Sequence, residues 1–135
     1  MTESEDHASA TLAAFVVPER RDRYLGLLAS ARGRAKLRDA LAHFRDLDAR
    51  CARPVAPADQ APARLAALLR SRGAPATCHV LAEDAALDGR SLPLAEALAA
   101  VVGRGMGAFL SCVPGRLGYY EGEDAGQRYI LERDV

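Results

Sequence analysis

The spacing of apolar residues changes near Ala76, and this change constrains the fold more than any other feature of the sequence. Before it, apolar side chains recur three or four residues apart, which places them on one face of a helix. After it, short contiguous apolar runs alternate with turn residues, a pattern typical of buried strands. The sequence therefore predicts an α+β fold, with three N-terminal helices followed by a β-α-β-β-β unit.

Three apolar stripes define the N-terminal helices. They comprise Tyr24, Leu27, Leu28 and Ala31, then Leu37, Leu41 and Phe44, and finally Leu65, Leu68 and Leu69. Pro18 and Pro62 suit the first position of a helix, where the missing N–H has no intrahelical partner. Gly33 stands between the first two stripes, and the sequence leaves open whether it separates two helices or lies inside a bent one.

Four strands are predicted after Ala76, over residues 77–82, 108–113, 116–121 and 127–132. Ser91 is expected to cap a helix that lies between the first two strands. This helix carries Leu94 and Leu98 and is stopped by Gly103. Pro114 and Gly115 predict a tight type II turn between the second and third strands. The last three strands are expected to form an antiparallel meander. The expected sheet is four-stranded, mixed or antiparallel, with the helices on one face.

The length of 135 residues favours one domain, and half of the residues are apolar, enough for a core. The first residues, MTESEDHASA, are polar and acidic, so residues 1–14 are expected to be a flexible acidic tail. Residues 15–135 are then expected to form a single α+β domain.

Arginine dominates the basic residues, since Lys36 is the only lysine among 18 basic residues. Together with abundant alanine, this bias indicates a GC-rich bacterial genome and weakens any functional interpretation of the arginines. The formal net charge is zero, which removes most long-range attraction to nucleic acid. Nucleic-acid binding through the basic helices of residues 18–53 is therefore the weakest functional hypothesis.

The cysteines and the apolar runs predict a location. Cys51, Cys78 and Cys112 are an odd number without a C-x-x-C spacing, which favours reduced thiols in a cytoplasm. No apolar run approaches the roughly 18 residues of a membrane span, and the acidic start differs from a secretory leader. A cytoplasmic protein without membrane contact is expected.

Few residues indicate chemistry. Cys78 and His79 are adjacent in a strand, so their side chains point to opposite faces and do not form a catalytic pair. His7, His43 and His79 lie far apart in the sequence, without the close ligand pairs typical of zinc sites. The sequence therefore predicts no catalytic residue, no metal site and no cofactor, and it does not decide whether the protein is an enzyme.

The segment Gly103, Arg104, Gly105, Met106 and Gly107 is the candidate contact site. Three glycines in five residues indicate an unusual backbone path or a close approach to another chain. Arginine and methionine are both favoured at protein interfaces.

Two main functional hypotheses follow. The first is a non-enzymatic interaction or regulatory domain that binds a protein partner or a second copy of itself as a homodimer. The second is a small enzyme or ligand-binding protein with a cleft near His79, Arg104, Tyr119 and Tyr120.

Overall fold

The central strands are apolar on both faces, and this dictates a layered architecture. A computed structural model describes residues 2–124 and 126–133. Its helices are α1 (Glu3–Phe15), α2 (Arg21–Leu27), α3 (Ala31–Ala40), α4 (Pro62–Ser71) and α5 (Leu94–Val101). Its strands are β1 (Ala52–Pro54), β2 (Thr77–Ala82), β3 (Ser91–Pro93), β4 (Ala108–Val113), β5 (Leu117–Glu121) and β6 (Arg128–Glu132). They form one sheet in the order β1-β6-β5-β4-β2-β3, and each neighbouring pair is antiparallel.

Helices cover both faces of this sheet. On one face, strand residues such as Val80, Leu110 and Tyr119 pack in one cluster with the apolar residues of α4 and α5. On the other face, Phe109 and Tyr120 pack in a second cluster with the apolar residues of α1, α2 and α3. The expectation of helices on one face is therefore wrong. Successive strand residues point to opposite faces of the sheet. A strand whose residues are apolar on both faces therefore needs helices packed on both sides.

The α+β class is confirmed, but the predicted details need correction. The sheet has six strands instead of four, because β1 and β3 are three-residue edge strands too short to show a periodicity. Four helices instead of three precede β2. The sheet is wholly antiparallel because β3 reverses the chain before α5, so β4 runs antiparallel to β2. Gly115 has a φ of +70°, which suits the turn predicted before β5.

The N-terminal segment forms a helix and is not a loose tail. Thr2 and Glu5 form a capping box, in which each side chain accepts a hydrogen bond from the other's backbone N–H. Ala8, Leu12 and Phe15 follow at helical spacing and are buried. Capping and burial together hold α1 against the sheet.

Gly33 lies inside α3, and the interruption between α2 and α3 comes before it, after Leu27. Ser30 caps α3 by accepting a hydrogen bond from the Gly33 N–H at 3.0 Å. A Cβ on Gly33 would lie 2.3 Å from the Leu27 carbonyl oxygen, so glycine permits the end of α2 to approach the start of α3. The first apolar stripe is therefore divided between two helices, because Ala31 begins α3, the helix that also carries Leu37.

Both edges of the sheet are closed to an added strand by proline. In β1, the register and the hydrogen bonds on either side make Arg53 the residue that is hydrogen-bonded to β6. The backbone nitrogen of Pro54 therefore faces outward, away from β6. In β3, Leu92 forms the hydrogen-bonded pair with β2, and the backbone nitrogen of Pro93 faces outward. Because proline has no N–H to offer, neither edge supports a regular new strand.

The basic helix α3 docks on the acidic half of the chain. Arg34 contacts the Asp88 carboxylate at 2.8 Å, and Arg38 lies 3.6 Å from it. The Asp88 side chain is only 6% exposed. Part of the basic stretch of residues 18–53 is thus neutralised within the fold. In the part of the chain that the structure describes, no helix has the length and apolarity to cross a membrane.

Candidate metal-ligand cluster

Helix α1 carries a polar stripe next to its apolar face. Glu3, His7 and Thr11 follow one another at intervals of four residues, which places them in a row on the helix surface. Because α1 packs across β2 and β4, this row lies against His79 of β2 and Ser111 of β4. Residues far apart in the sequence therefore meet in one small region, which we call the histidine cluster: Glu3, Ser4, His7, Thr11, His79 and Ser111.

The two histidines are the centre of the cluster. Their rings stack with centroids 3.9 Å apart and an angle of 22° between planes. A hydrogen bond joins His7 Nδ1 to Ser111 Oγ at 2.7 Å, and another joins His79 Nδ1 to Ser4 Oγ at 2.9 Å. His79 Nε2 lies 3.5 Å from Glu3 Oε1. Each ring thus has its Nδ1 fixed by a serine, which leaves its Nε2 for another partner.

Burial favours the uncharged form of one of the rings. Both histidines are about 7% exposed. Loss of hydration lowers the pKa of His7 below its usual value, and repulsion from His79 lowers this pKa further. Glu3 and Asp6 act in the opposite direction without reversing the shift. A neutral imidazole has a free nitrogen lone pair, which is the form that binds metal ions.

The cluster has the composition of a transition-metal site. One ligand atom each from Glu3, His7 and His79 lie within 4.8 Å of one another. Imidazole and carboxylate are common ligands of zinc and other first-row metals, and two histidines with one glutamate form a known zinc ligand set. Hydrogen bonds from the second ring nitrogen, here to Ser111 and Ser4, orient such histidines.

The cavity between these side chains is small, and one of its polar groups is unpaired. Its volume is about 10 Å³, which is room for one water-sized particle. The Thr11 hydroxyl lines it, is buried, and has no hydrogen-bond partner among the described residues. Buried polar groups nearly always have a partner, so an ion with bound water, or a water alone, would complete this site.

Of the residues that the sequence singled out, only His79 belongs to the cluster. Tyr119 and Tyr120 are fully buried and face opposite sides of the sheet. The Tyr119 hydroxyl donates to Glu121, and the Tyr120 hydroxyl donates to the Leu41 carbonyl. The structure therefore does not bring His79, Arg104 and these tyrosines together in a cleft.

The candidate contact loop is held at both ends. The Gly103 N–H donates to the buried Glu121 carboxylate at 2.8 Å. A Cβ on Gly107 would lie 2.1 Å from the Leu41 carbonyl carbon, so this glycine permits a close approach within the molecule. Between them, Arg104 and Gly105 are exposed and Met106 is half-buried against the core. Gly103 and Gly107 are thus explained by contacts within the fold. The exposed tip includes Arg104, whose guanidinium group donates to the Ala99 carbonyl at 3.2 Å.

Sequence reasoning missed Glu3 and Ser4 because it treated residues 1–14 as a tail, and it set His7 aside because the histidines lie far apart in the sequence. Ser111 lies in a strand that was predicted, but its neighbours in the fold were not. The signal that would have found them is the capping box of Thr2 and Glu5, followed by the apolar spacing of Ala8, Leu12 and Phe15. Once α1 is assigned, Glu3 and His7 fall on one face of a helix as a ligand pair. Their meeting with His79 depends on tertiary packing.

Comparisons with family models, curated proteins and solved structures found no match for this chain. The functional argument therefore depends on the geometry of the histidine cluster.

Proposed function

We propose that this protein is a non-enzymatic regulatory domain that binds a first-row transition-metal ion, Zn²⁺ above all, through Glu3, His7 and His79. The single observation that carries this proposal is the convergence of three ligand atoms within 4.8 Å at the junction of α1 and β2. Metal bound there would link the N-terminal helix to the sheet, so metal occupancy would set how firmly α1 is docked.

The chemistry of the ligands favours a zinc-like ion over calcium or magnesium. Calcium and magnesium prefer six or more oxygen ligands, whereas this cluster offers two imidazoles and one carboxylate. Glu3 has an 80% exposed side chain, so it is free to turn toward an ion bound at the Nε2 edges of the two rings. The serine hydroxyls beside His7 and His79 hold the rings and fix which nitrogen faces the ion.

The size of the cavity favours binding over catalysis. A space of about 10 Å³ accommodates an ion or a water molecule but no substrate, since ligand pockets typically exceed about 300 Å³. A catalytic metal needs an open position that a substrate reaches. The buried histidines therefore support a sensing or structural role.

The test is a Zn²⁺ titration of the full chain, followed by calorimetry and by thermal unfolding. We expect one saturable site and a rise in unfolding temperature with Zn²⁺, because a ligand that binds only the folded state stabilises it. Glu3→Gln should weaken binding about tenfold or more, since it removes the charged ligand at an exposed position that the fold does not need. His79→Gln should abolish the site.

His43 provides the matched control. It is an exposed histidine that lies 2.8 Å from exposed Glu123, outside the cluster. The variant His43→Gln should bind Zn²⁺ as the parent protein does. Absence of saturable binding in the parent, or equal binding in Glu3→Gln and His79→Gln proteins that are folded by circular dichroism, would refute the proposal.

A second candidate function is self-association through the tip of the loop at residues 103–107. The observation that favours it is the exposure of Arg104 and Gly105 between two anchored glycines. Arg104→Ala should lower self-association measured by sedimentation while leaving Zn²⁺ binding unchanged. If the parent is monomeric at high concentration, or if the variant associates equally, this candidate fails.

The cellular location and origin are also proposals. Cys51, Cys78 and Cys112 are buried free thiols, which suits a reducing cytoplasm. The arginine-rich composition favours a bacterial source. Immunodetection after fractionation of cells that produce the protein would test the location.

A further inference from the structure

Three arginines line a surface cavity that shares no lining residue with the histidine cluster. The cavity has a volume of about 370 Å³ and is lined by Arg72, Gly73, Val113, Arg116, Leu117, Glu132 and Arg133. These residues come from the end of α4, the turn between β4 and β5, and the end of β6. Among the described residues that line it, three guanidinium groups stand against one carboxylate.

Two of the arginines are anchored by the fold. Arg72 donates to Glu132 Oε1 at 2.5 Å, and the Arg72 side chain is only 33% exposed. Arg133 donates from one guanidinium nitrogen to the Ala14 carbonyl at 3.2 Å. Its backbone N–H bonds to the Arg116 carbonyl, which joins the two arginine-bearing segments. Anchoring reduces the conformational entropy that these long side chains lose when they bind a ligand.

The third arginine supplies a charge that no carboxylate of the described residues compensates. Arg116 is exposed and forms no ion pair with any residue in 2–124 or 126–133. Glu132 is already contacted by Arg72, and Arg53 lies 3.9 Å from it. Among the described lining residues the single carboxylate is therefore shared, and three guanidinium groups leave an excess of positive charge.

We propose that this cavity binds a small phosphorylated molecule, with Arg116 and Arg133 contacting the phosphate and Arg72 bordering it. Guanidinium groups hold phosphate oxygens through paired, charge-assisted hydrogen bonds. A volume near 370 Å³ matches a metabolite-sized ligand and is too confined for a nucleic-acid duplex. Apolar side chains of Val113 and Leu117 complete the wall and would contact the organic part of the ligand.

The experiment titrates the full chain separately with inorganic phosphate, a nucleoside diphosphate and a short single-stranded oligonucleotide, with binding followed by amide chemical shifts. We expect saturable binding of the nucleoside diphosphate, with the largest shifts at residues lining the cavity. Arg116→Gln and Arg133→Gln should each weaken it about tenfold, the effect of losing one charge-assisted hydrogen bond. Raising the salt concentration should weaken it further.

Arg90→Gln is the matched control, because Arg90 is exposed, lies away from the cavity lining and forms no ion pair among the described residues. It should bind as the parent protein does. Saturable binding of inorganic phosphate that needs the same two arginines would support phosphate recognition even without an organic part. Oligonucleotide binding alone, no saturable binding of any probe, or an equal loss in all three variants would overturn the proposal.

Discussion

The thiols of Cys78 and Cys112 illustrate how strongly position controls the chemistry of a single residue. Both are buried among apolar side chains, and burial raises the pKa of each to about 12. We expect slow modification of both thiols in the native protein at neutral pH, because the reactive thiolate is scarce and inaccessible. A thiol titration with and without denaturant checks this. Rapid native labelling of either cysteine would contradict it.

Gly107 should be among the positions most sensitive to substitution. A Cβ there would lie 2.1 Å from the Leu41 carbonyl carbon and 2.2 Å from the Ala42 nitrogen, and both are backbone atoms that cannot turn aside. Gly107→Ala should therefore destabilise the protein by about 2 kcal/mol or more, the range of overpacking in a close-packed interior. Gly105→Ala is the comparison, since a Cβ there meets nothing within 4 Å.

Denaturant unfolding of these two variants measures the difference. Gly105 has a φ of +69°, so its alanine variant should lose only about 1 kcal/mol from backbone strain. Equal losses of unfolding free energy in the two variants would show that the close contact of Gly107 with Leu41 does not determine the cost of the substitution.

Asp48 gives the stability of the protein a dependence on acid pH. Hydrogen bonds from Arg50 lower the pKa of Asp48 below its usual 3.8 and outweigh the opposing effect of burial. A carboxyl group with a lower pKa in the folded state stabilises the fold above its unfolded pKa, and this contribution is lost as pH falls through the folded pKa. Asp48→Asn should therefore flatten the acid limb of a plot of unfolding free energy against pH. An unchanged limb would exclude this role.

At the scale of elements, Asp88 fixes α3 to the β2–β3 connection. Its carboxylate accepts hydrogen bonds from Arg34 at 2.8 and 3.2 Å and from the Ala82 N–H at 3.1 Å. Asp88→Ala should destabilise the fold by about 2 kcal/mol, less than for a fully buried pair because the arginines are partly exposed. Asp84→Ala, at an exposed carboxylate in the same connection, is the control. Urea unfolding with equal midpoints for the two variants would contradict the assignment.

The elements differ in how well the sequence predicts them. Strands β2 and β4 were predicted at their observed limits because each is a mostly apolar run of six residues bounded by turn residues. Edge strand β3 was predicted as the start of a helix, because Ser91 resembles a helix cap, whereas the helix begins at Leu94. Helix α1 was missed because its acidic composition outweighed its capping box. Short edges and polar helix starts are fixed by packing, which composition does not reveal.

At the scale of the molecule, the histidine cluster depends on contacts that no local pattern encodes. Ser4 meets His79 across 75 positions of sequence, and His7 meets Ser111 across 104. The separation of the histidines in the sequence argued against a metal site, yet the packing of α1 on β2 brings one candidate ligand atom from each of Glu3, His7 and His79 within 4.8 Å of one another. Only the identity of His79 as a candidate was available from the sequence. The residues that surround His79 are known only once α1 is placed on the sheet.

The central claim is that the Nε2 atoms of His7 and His79 bind a metal ion. Nitrogen-15 NMR of the imidazole rings during Zn²⁺ addition tests it most directly, since it reports each ring nitrogen separately. We predict that Nε2 of His7 and of His79 shifts as one equivalent of Zn²⁺ is added, while Nδ1 keeps its serine partner and both nitrogens of His43 stay unchanged. Equal small shifts in all three histidines, or none in His7 and His79, would contradict the claim.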